Sequence, residues 1–415
     1  MAAEIDLEVE IPLDDAALLE AKNSYRVLES KGFRILGVAF RRCQDDVSTA
    51  LIDEHEHFVF VGFIAFSDPP KLSAGKTLQA LEKLGVTIKI ITGDSELVTR
   101  NICTQLGFHE QGMLLGHEIN NIDDFALQAQ VEHINLFCRM SPVQKTRIIR
   151  ALKYKGHVVG YLGDGINDIP SINAADVGMS VDLGVDSAKA AADMILLKHD
   201  LGILQEAVIE GRRTFGNIMK YIMMSTSSNF GNMLSMAAAV TFLPFLPMLP
   251  TQILLNNILY DISEVAIPFD KIDDIDIEQP RVLDIRLIQR FMLTMGPISS
   301  VFDIITFYFM LEVFTLSESL FQTGWFIESL CTQVLVIFVI RTRKRFWRSH
   351  PHPALIATSL AVVLLAIVIP LTPWASYFGM TTPPLVFYVF LALMTISYLT
   401  VVEFVKTKFF KEKIT

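Results

Sequence analysis

Three long stretches of this 415-residue chain contain no lysine or arginine: the 50 residues between Lys220 and Lys271, the 50 between Arg290 and Arg341, and the 57 between Arg348 and Lys406. A bilayer-crossing helix needs about 20 mostly apolar residues, so each stretch has room for two spans and a short outer turn. Six transmembrane helices in three hairpins are therefore predicted, over about 216–241, 250–269, 291–312, 324–341, 354–371 and 385–405. The turns inside the stretches, TFLPFLPMLPT (241–251), the region of VFTLSESLFQT (313–323) and TPWASYFGMTTPP (372–384), are free of basic residues. Arg212, Arg213 and Lys220 precede the first span, RTRKRFWR (341–348) separates the fourth from the fifth, and Lys406, Lys408, Lys411 and Lys413 follow the sixth. By the positive-inside rule both termini and the two loops between hairpins lie in the cytoplasm, and an integral protein of the plasma membrane is expected. Helices of a large soluble core are a poor alternative, because LIATSLAVVLLAIVIPL (355–371) is too long and too apolar.

Composition agrees, with 51% hydrophobic and only 19% charged residues. An excess of 45 acidic over 35 basic side chains, a net charge of -10, argues against nucleic acid as a partner. Cys43, Cys103, Cys138 and Cys331 stand far apart with no CxxC pair, so reduced cytosolic thiols are expected, not a zinc site or a disulfide framework. The opening MAAEIDLEVE is acidic and lacks a basic region with an apolar core, so no secretory signal is expected and residue 1 is placed in the cytosol.

Up to about residue 210 the pattern is that of a soluble α/β domain. In VTIKIITGDSELVTRNICTQLG (86–107), alternating Val86, Ile88 and Ile90 predict a strand, Thr92-Gly93-Asp94 its end, and Leu97 onward a helix. In GHVVGYLGDGINDIPSINAADVGMSV (156–181), Val158, Val159, Tyr161 and Leu162 predict a second strand that ends in a tight turn. Both units imply a parallel sheet, which binds ligands at the carboxyl ends of its strands. The turn Gly-Asp-Gly-Ile-Asn-Asp (163–168) carries two hard oxygen donors, Asp164 and Asp168, suited to Mg²⁺ held together with a phosphate. A GDG turn by itself is more often an ordinary loop. Thr92 can donate to phosphate oxygens and Lys145 can supply a compensating cation.

FSDPPK (66–71), ITGDSELVTRNI (91–102), FCRMSPVQK (137–145) and YLGDGINDIPSINAADVGMSV (161–181) resemble, in order, the hinge and phosphorylation-domain motifs of P-type cation-transporting ATPases. The resemblance runs from about residue 30 to the end and implies a haloacid-dehalogenase-like, Rossmann-like parallel sheet, incomplete here, followed by an all-α membrane bundle. It divides the chain into a remnant of a nucleotide-binding domain (1–62), a phosphorylation domain (63–210) and a membrane domain (211–415). It also implies that Thr92, Gly93 and Asp94 contact the phosphoryl group, that Lys145 neutralises it, and that Asp164 binds the catalytic Mg²⁺ with Asn167 and Asp168 completing that site. Asp68, at the hinge, and Arg139 would serve the ATP side.

The family phosphorylates an aspartate in a DKTGT motif, and no DKTG occurs in this sequence. Asp68 is a poor substitute, because two prolines follow it and the backbone N–H groups that would cradle phosphate are missing. The resemblance therefore covers the C-terminal half of a transporter, and this chain alone is expected to form no phosphoenzyme. A second polypeptide carrying the nucleophile would be its partner.

Polar groups inside spans mark a pathway. SSNFGN (227–232) supplies Asn229 and Asn232; LLNNILYDISEVAIPFD (254–270) supplies Asn257, Asp261 and Glu264, which share a helical face suited to a divalent cation. Pro268 and the polar run before it predict a broken helix that exposes carbonyl oxygens. By the resemblance these are ion-site positions of two consecutive spans, and NNILYDISEVAIPFD with KIDDIDIEQPR (271–281) most resembles the magnesium-transporting subclass. Asp303, Glu312 and Glu328 are further candidates, and the acidic loop over 270–278 is expected to be a solvated surface. Competing readings are transport of another cation such as Ca²⁺, a non-catalytic membrane remnant or regulatory partner, and a membrane-tethered phosphatase. Phosphorylation strain in an intact pump would pass along GRRTFGNIMKYI (211–222) into the first span.

Overall fold

The computed structural model describes residues 13–40, 58–67, 69–198 and 200–411; Cys43 and the hinge residue Asp68 lie outside the described residues. Two compact units are present, Met1–Glu206 and Ala207–Thr415.

In the first unit, helix α1 (Asp15–Ser30) is capped by the Asp14 side chain, which accepts from the Ala17 N–H. Strands β1 (Arg34–Phe40) and β2 (Val59–Phe66) form an antiparallel pair with a register shift between Val38 and Ala39. Strands and helices then alternate: α2 (Leu72–Lys83), β3 (Ile90–Ile91), α3 (Glu96–Leu106), β4 (Met113–Leu115), α4 (Gly116–Ile119), α5 (Asp124–Gln130), β5 (Leu136–Cys138) and α6 (Pro142–Tyr154). The alternation continues through β6 (Gly160–Leu162), α7 (Ile169–Ala174), β7 (Val177–Val181), α8 (Asp186–Ala191) and β8 (Met194–Leu196). Such alternation favours parallel pairing, and the strands form two parallel sheets of three, in the orders β3-β5-β4 and β6-β7-β8. All three residues of β5 are fully buried, against Ile148 of α6 among others. The expected strands from Val86 and Val158 are cut to Ile90–Ile91 and Gly160–Leu162, because a residue joins a ladder only where a neighbour pairs with it, and β3 and β6 each pair on one side among the described residues.

The second unit is helical: α9 (Gly202–Ala239), α10 (Pro250–Glu264), the short α11 (Asp274–Glu278), α12 (Ile285–Tyr308), α13 (Glu318–Leu335), α14 (Ile337–Ile340), α15 (Pro353–Val368) and α16 (Leu385–Lys411). Among the described residues four stretches are long and apolar enough to cross a membrane: Ile285–Val313, Glu318–Ile340, Pro353–Leu371 and Leu385–Phe410. They fall on the last four of the six expected spans. Of the first two, α9 is long but carries charges and the polar SSNFGN run, while α10 has only 15 residues. It stops at Glu264 and a 3-10 turn, Ile267–Phe269, follows with Pro268 inside it.

The second stretch is the hub of the bundle, with 89% of its apolar window buried against 28% for each of the last two. Phe321, Trp325, Phe326, Leu330 and Val334 fill its interior. Glycines bring α9 and α12 together: a Cβ on Gly296 would lie 2.6 Å from the Phe230 ring, and one on Gly231 3.1 Å from the Gly296 carbonyl oxygen. Ser300 Oγ donates to the Gly231 carbonyl at 2.9 Å across the same contact.

Candidate functional site

The turn that ends β3 is closed by short-range hydrogen bonds from backbone N–H groups to the hydroxyls of Thr92 and Ser95. Thr92 Oγ1 accepts from the Asp94 N–H at 3.0 Å, and Ser95 then caps α3 by accepting from Val98. This turn is tied to the one after β5: Thr92 N–H donates to the Phe137 carbonyl, Met140 N–H to the Thr92 carbonyl and Arg139 N–H to the Asp94 carbonyl, all at 2.9 Å. Arg139 pays for that crossing with a left-handed backbone, φ 57°, unusual for a residue with a Cβ. Its guanidinium meets Glu96 at 2.8 Å, and Asp94 Oδ2 is met by Arg34 of β1 at 2.8 Å.

Directly after Met140, Ser141 starts α6 with a reciprocal capping box to Gln144 and Pro142 at the first turn. One turn on, Lys145 Nζ lies 2.8 Å from Asp168 Oδ1, and both side chains are largely buried. Asp168 closes the Gly-Asp-Gly-Ile-Asn-Asp turn. Its Oδ1 also accepts from the Tyr161 hydroxyl at 2.7 Å and its Oδ2 faces the Gly165 N–H at 3.4 Å. Gly163 is required there, since a Cβ would come within 2.5 Å of the Asp168 Cβ. The ends of β3 and β6 are thus linked through the first residues of α6, and Ile91 and Val159 pack in a shared apolar cluster beneath them.

Burial opposes the charge on Asp168, but hydrogen bonds from Lys145 and Tyr161 outweigh it and hold the carboxyl below the usual carboxylate range. Burial, reinforced by Asp168, pushes the Tyr161 hydroxyl up, so it stays a donor. Cys103 is raised to about 11 by burial, and Cys138 is raised as well, so these thiols are inert. Cys103, Cys138 and Cys331 are all free and buried.

The sequence placed Asp164, Asn167 and Asp168 on a catalytic Mg²⁺. Asp164 and Asn167 are exposed at the turn, while Asp168 gives its oxygen to Lys145 and Tyr161. The donors fit Mg²⁺ only in part: Asp164 offers one free carboxylate, and the other oxygens of an octahedral site must come from phosphate, water or a further carboxylate. Among the described residues no group of three or more His, Cys, Asp or Glu side chains is placed to hold a metal ion.

In the membrane unit the five expected ion-site residues separate. Glu264 is buried, with neither carboxylate oxygen hydrogen-bonded among the described residues. Asn232 is half-buried and accepts from Ser329 Oγ at 3.4 Å. Asn229, Asn257 and Asp261 are exposed. Of the further candidates, Asp303 and Glu328 are buried, Asp303 accepting from Ser235 Oγ and from Trp325 Nε1, whereas Glu312 is exposed. The carbonyls expected to be freed near Pro268 are occupied: Asn217 Nδ2 donates to those of Pro268 and Asp270 at 3.0 and 3.1 Å.

The acidic loop was expected to be solvated, and for two of its residues the structure corrects that. Asp270 is buried and accepts from Lys220 at 2.9 Å, from Arg341 at 2.9 Å on both oxygens, and from the His352 N–H at 3.1 Å. Asp273 is buried too, and accepts from Thr342 Oγ1 at 3.0 Å and the Arg343 N–H at 2.8 Å. The sequence signal was present: Asp270 directly follows the last apolar residue of its segment, where cations at the ends of neighbouring helices can reach it.

Residues 245–407 match the family model described as cation transporting ATPase, C-terminus, and residues 6–176 match that of haloacid dehalogenase-like hydrolases. The chain is 44% identical over 402 residues to a protein of Salmonella typhimurium named "Magnesium-transporting ATPase, P-type 1", an alignment covering 95% of this chain and 44% of that protein. The protein of that name in Escherichia coli is 43% identical, with 95% and 45% covered. "Calcium-transporting ATPase 1" of Bacillus cereus is 30% identical, with 96% and 48% covered. The chain thus spans less than half the length of these curated relatives. A haloacid-dehalogenase-like domain with parallel sheets, joined to helices able to cross a bilayer, makes this an integral membrane protein. It belongs to the P-type cation-transporting ATPases.

Proposed function

We propose that these residues form the phosphoryl-binding and C-terminal membrane part of an ATP-driven Mg²⁺ transporter. The observation that carries this reading is the link from Thr92 through Met140 and Lys145 to Asp168, which sets two strand-end turns of the expected chemistry side by side. In this reading the Thr92 hydroxyl and the Gly93 and Asp94 backbone hold phosphoryl oxygens, and Lys145, anchored on Asp168, directs positive charge at them. Asp164, with Asn167 beside it, would hold Mg²⁺; Asp168 positions Lys145 and the turn. Mg²⁺, when bound, screens the phosphoryl charge. Asp68 and Arg139 are assigned to the ATP side.

The nucleophile must come from another segment. Because β3 and β6 each pair on one side among the described residues and share Ile91 and Val159 beneath, we propose that the segment enters as a parallel strand between them, its carboxylate emerging beside Thr92 and Asp164. The proposed membrane domain has six spans, with α9 and α10 added to the four apolar helices, and both termini in the cytoplasm of a plasma-membrane protein. Asn229, Asn232, Asn257, Asp261 and Glu264 are proposed to line the cation path. Mg²⁺ is favoured over Ca²⁺ by the closer likeness to the magnesium-transporting relatives, 44% against 30% identity.

The test is phosphoenzyme formation from ATP in a complete pump containing these residues. Asp164→Asn should cut it by about a hundredfold or more, since it removes a charge-stabilising donor from the transferring group. Retention of near-normal phosphorylation would remove Asp164 from the reaction.

A further inference from the structure

Tyr161 makes a contact for which the proposed chemistry of the two turns has no task. Its hydroxyl donates to Asp168 Oδ1 at 2.7 Å, and Lys145 Nζ meets that same oxygen at 2.8 Å. Among the described residues Oδ2 has the Gly165 N–H alone, at 3.4 Å, which is long for a firm hydrogen bond. A carboxylate turns about its last side-chain bond within a broad well, so its partners decide where its oxygens point. Lys145 is a poor guide, because its ammonium ends a flexible four-carbon stem. Tyr161 is a rigid one. Its ring is buried in the apolar cluster of Ile149 on α6, Ile172 on α7 and Ala188 on α8. The ring also lies against the turn itself, since a Cβ on Gly163 would come 3.0 Å from Tyr161 Cε1 and 2.5 Å from the Asp168 Cβ. Strand β6 and three helices thus fix the hydroxyl that shares Oδ1 with Lys145.

We propose that Tyr161 is a positioning residue for phosphoryl transfer: by fixing Asp168 Oδ1, it sets where the Lys145 ammonium stands when a phosphoryl group lies beside Thr92. The proposal rests on the phosphoryl-binding role assigned above to the two turns. An ammonium has three N–H groups, and the bond to Asp168 uses one. The others can serve phosphoryl oxygens, and they lower the barrier most when the charge is in place before the reaction starts. Without the Tyr161 hydroxyl the charge stays in the site but loses its fixed position. The maximal rate of transfer then falls, and the ATP concentration for half-saturation does not change.

The test is single-turnover phosphoenzyme formation from ATP in a complete pump containing these residues, with Y161F, I172V and D164N compared. Y161F keeps the ring and removes the hydroxyl alone. Its rate constant at saturating ATP should fall about tenfold, with half-saturating ATP within about twofold of the unaltered pump. I172V trims the packing around the ring and leaves the hydroxyl in place, so its rate constant should stay within about twofold. A Y161F rate constant within about threefold of the unaltered value would overturn the proposal. An equal fall in I172V, or a loss that shows only as a raised half-saturating ATP, would overturn it too, because packing or ground-state binding would then be responsible. Y161F unaffected while D164N is inactive overturns the role of Tyr161 alone, whereas near-normal phosphorylation in D164N overturns the phosphoryl-binding role as well.

Discussion

Asp270 and Asp261 stand nine residues apart in the same polar segment, yet the structure treats them as opposites. Asp270 has 1% of its side chain exposed and is surrounded by Lys220, Arg341 and the His352 N–H. Asp261 is exposed on α10, beside exposed Ile258, Ile262 and Val265 and on the same side as Asn257. A buried carboxylate survives because partners compensate its lost hydration; an exposed one inside an apolar face has found no such partners among the described residues. The contrast separates two kinds of acid: one that holds the helix ends together, and one available to a cation or to further helices.

Replacing Asp270 with Ala strands two buried cations, and should cost about 3–5 kcal/mol in thermal unfolding of the detergent-solubilised chain. A loss under about 1 kcal/mol would break the distinction. Next in size is Lys145→Met, which leaves Asp168 with Tyr161 and the Gly165 N–H but no cation, and should cost about 2 kcal/mol. This effect has a pH signature. Because the folded state holds Asp168 below its ordinary value, the stabilisation is complete above the unfolded pKa, about 3.9, and vanishes as pH falls through the folded value. The stability difference between unaltered chain and K145M should therefore shrink only below about pH 4, and a difference that instead faded toward neutral pH would assign it to another group. Gly296→Ala forces the Phe230 ring to move and should cost about 1–2 kcal/mol while lengthening the α9–α12 approach, readable as a change in crosslinking between cysteines placed on the two helices. Asp261→Asn should sit at the bottom of the scale, within about 0.5 kcal/mol for this chain alone.

The sequence made the chemistry of the α/β unit legible because its motifs are local: a strand, a glycine turn and a helix cap are written in consecutive residues. Thr92-Gly93-Asp94 and Gly163 to Asp168 form their expected turns for that reason. What it could not show was pairing across distance. The Lys145–Asp168 clamp spans 23 residues and the Arg341–Asp270 pair 71, and neither leaves a spacing signature. Charge density misled on the acidic loop, where a run of aspartates looks solvated although Asp270 and Asp273 are buried. Span counting by lysine and arginine gaps found the four apolar helices, but it could not see that α10 ends after 15 residues. The helical face of Asn257, Asp261 and Glu264 was inferred from periodicity, which fixes neighbours along one helix and says nothing of what lies opposite it.

The most direct test of the proposed link between the strand-end turns of the α/β unit and Asp261 is Mg²⁺-stimulated ATP hydrolysis by a complete pump that contains these residues, compared with its D261N variant. The account predicts that stimulation is lost while folding is preserved. Stimulation unchanged in D261N would contradict it.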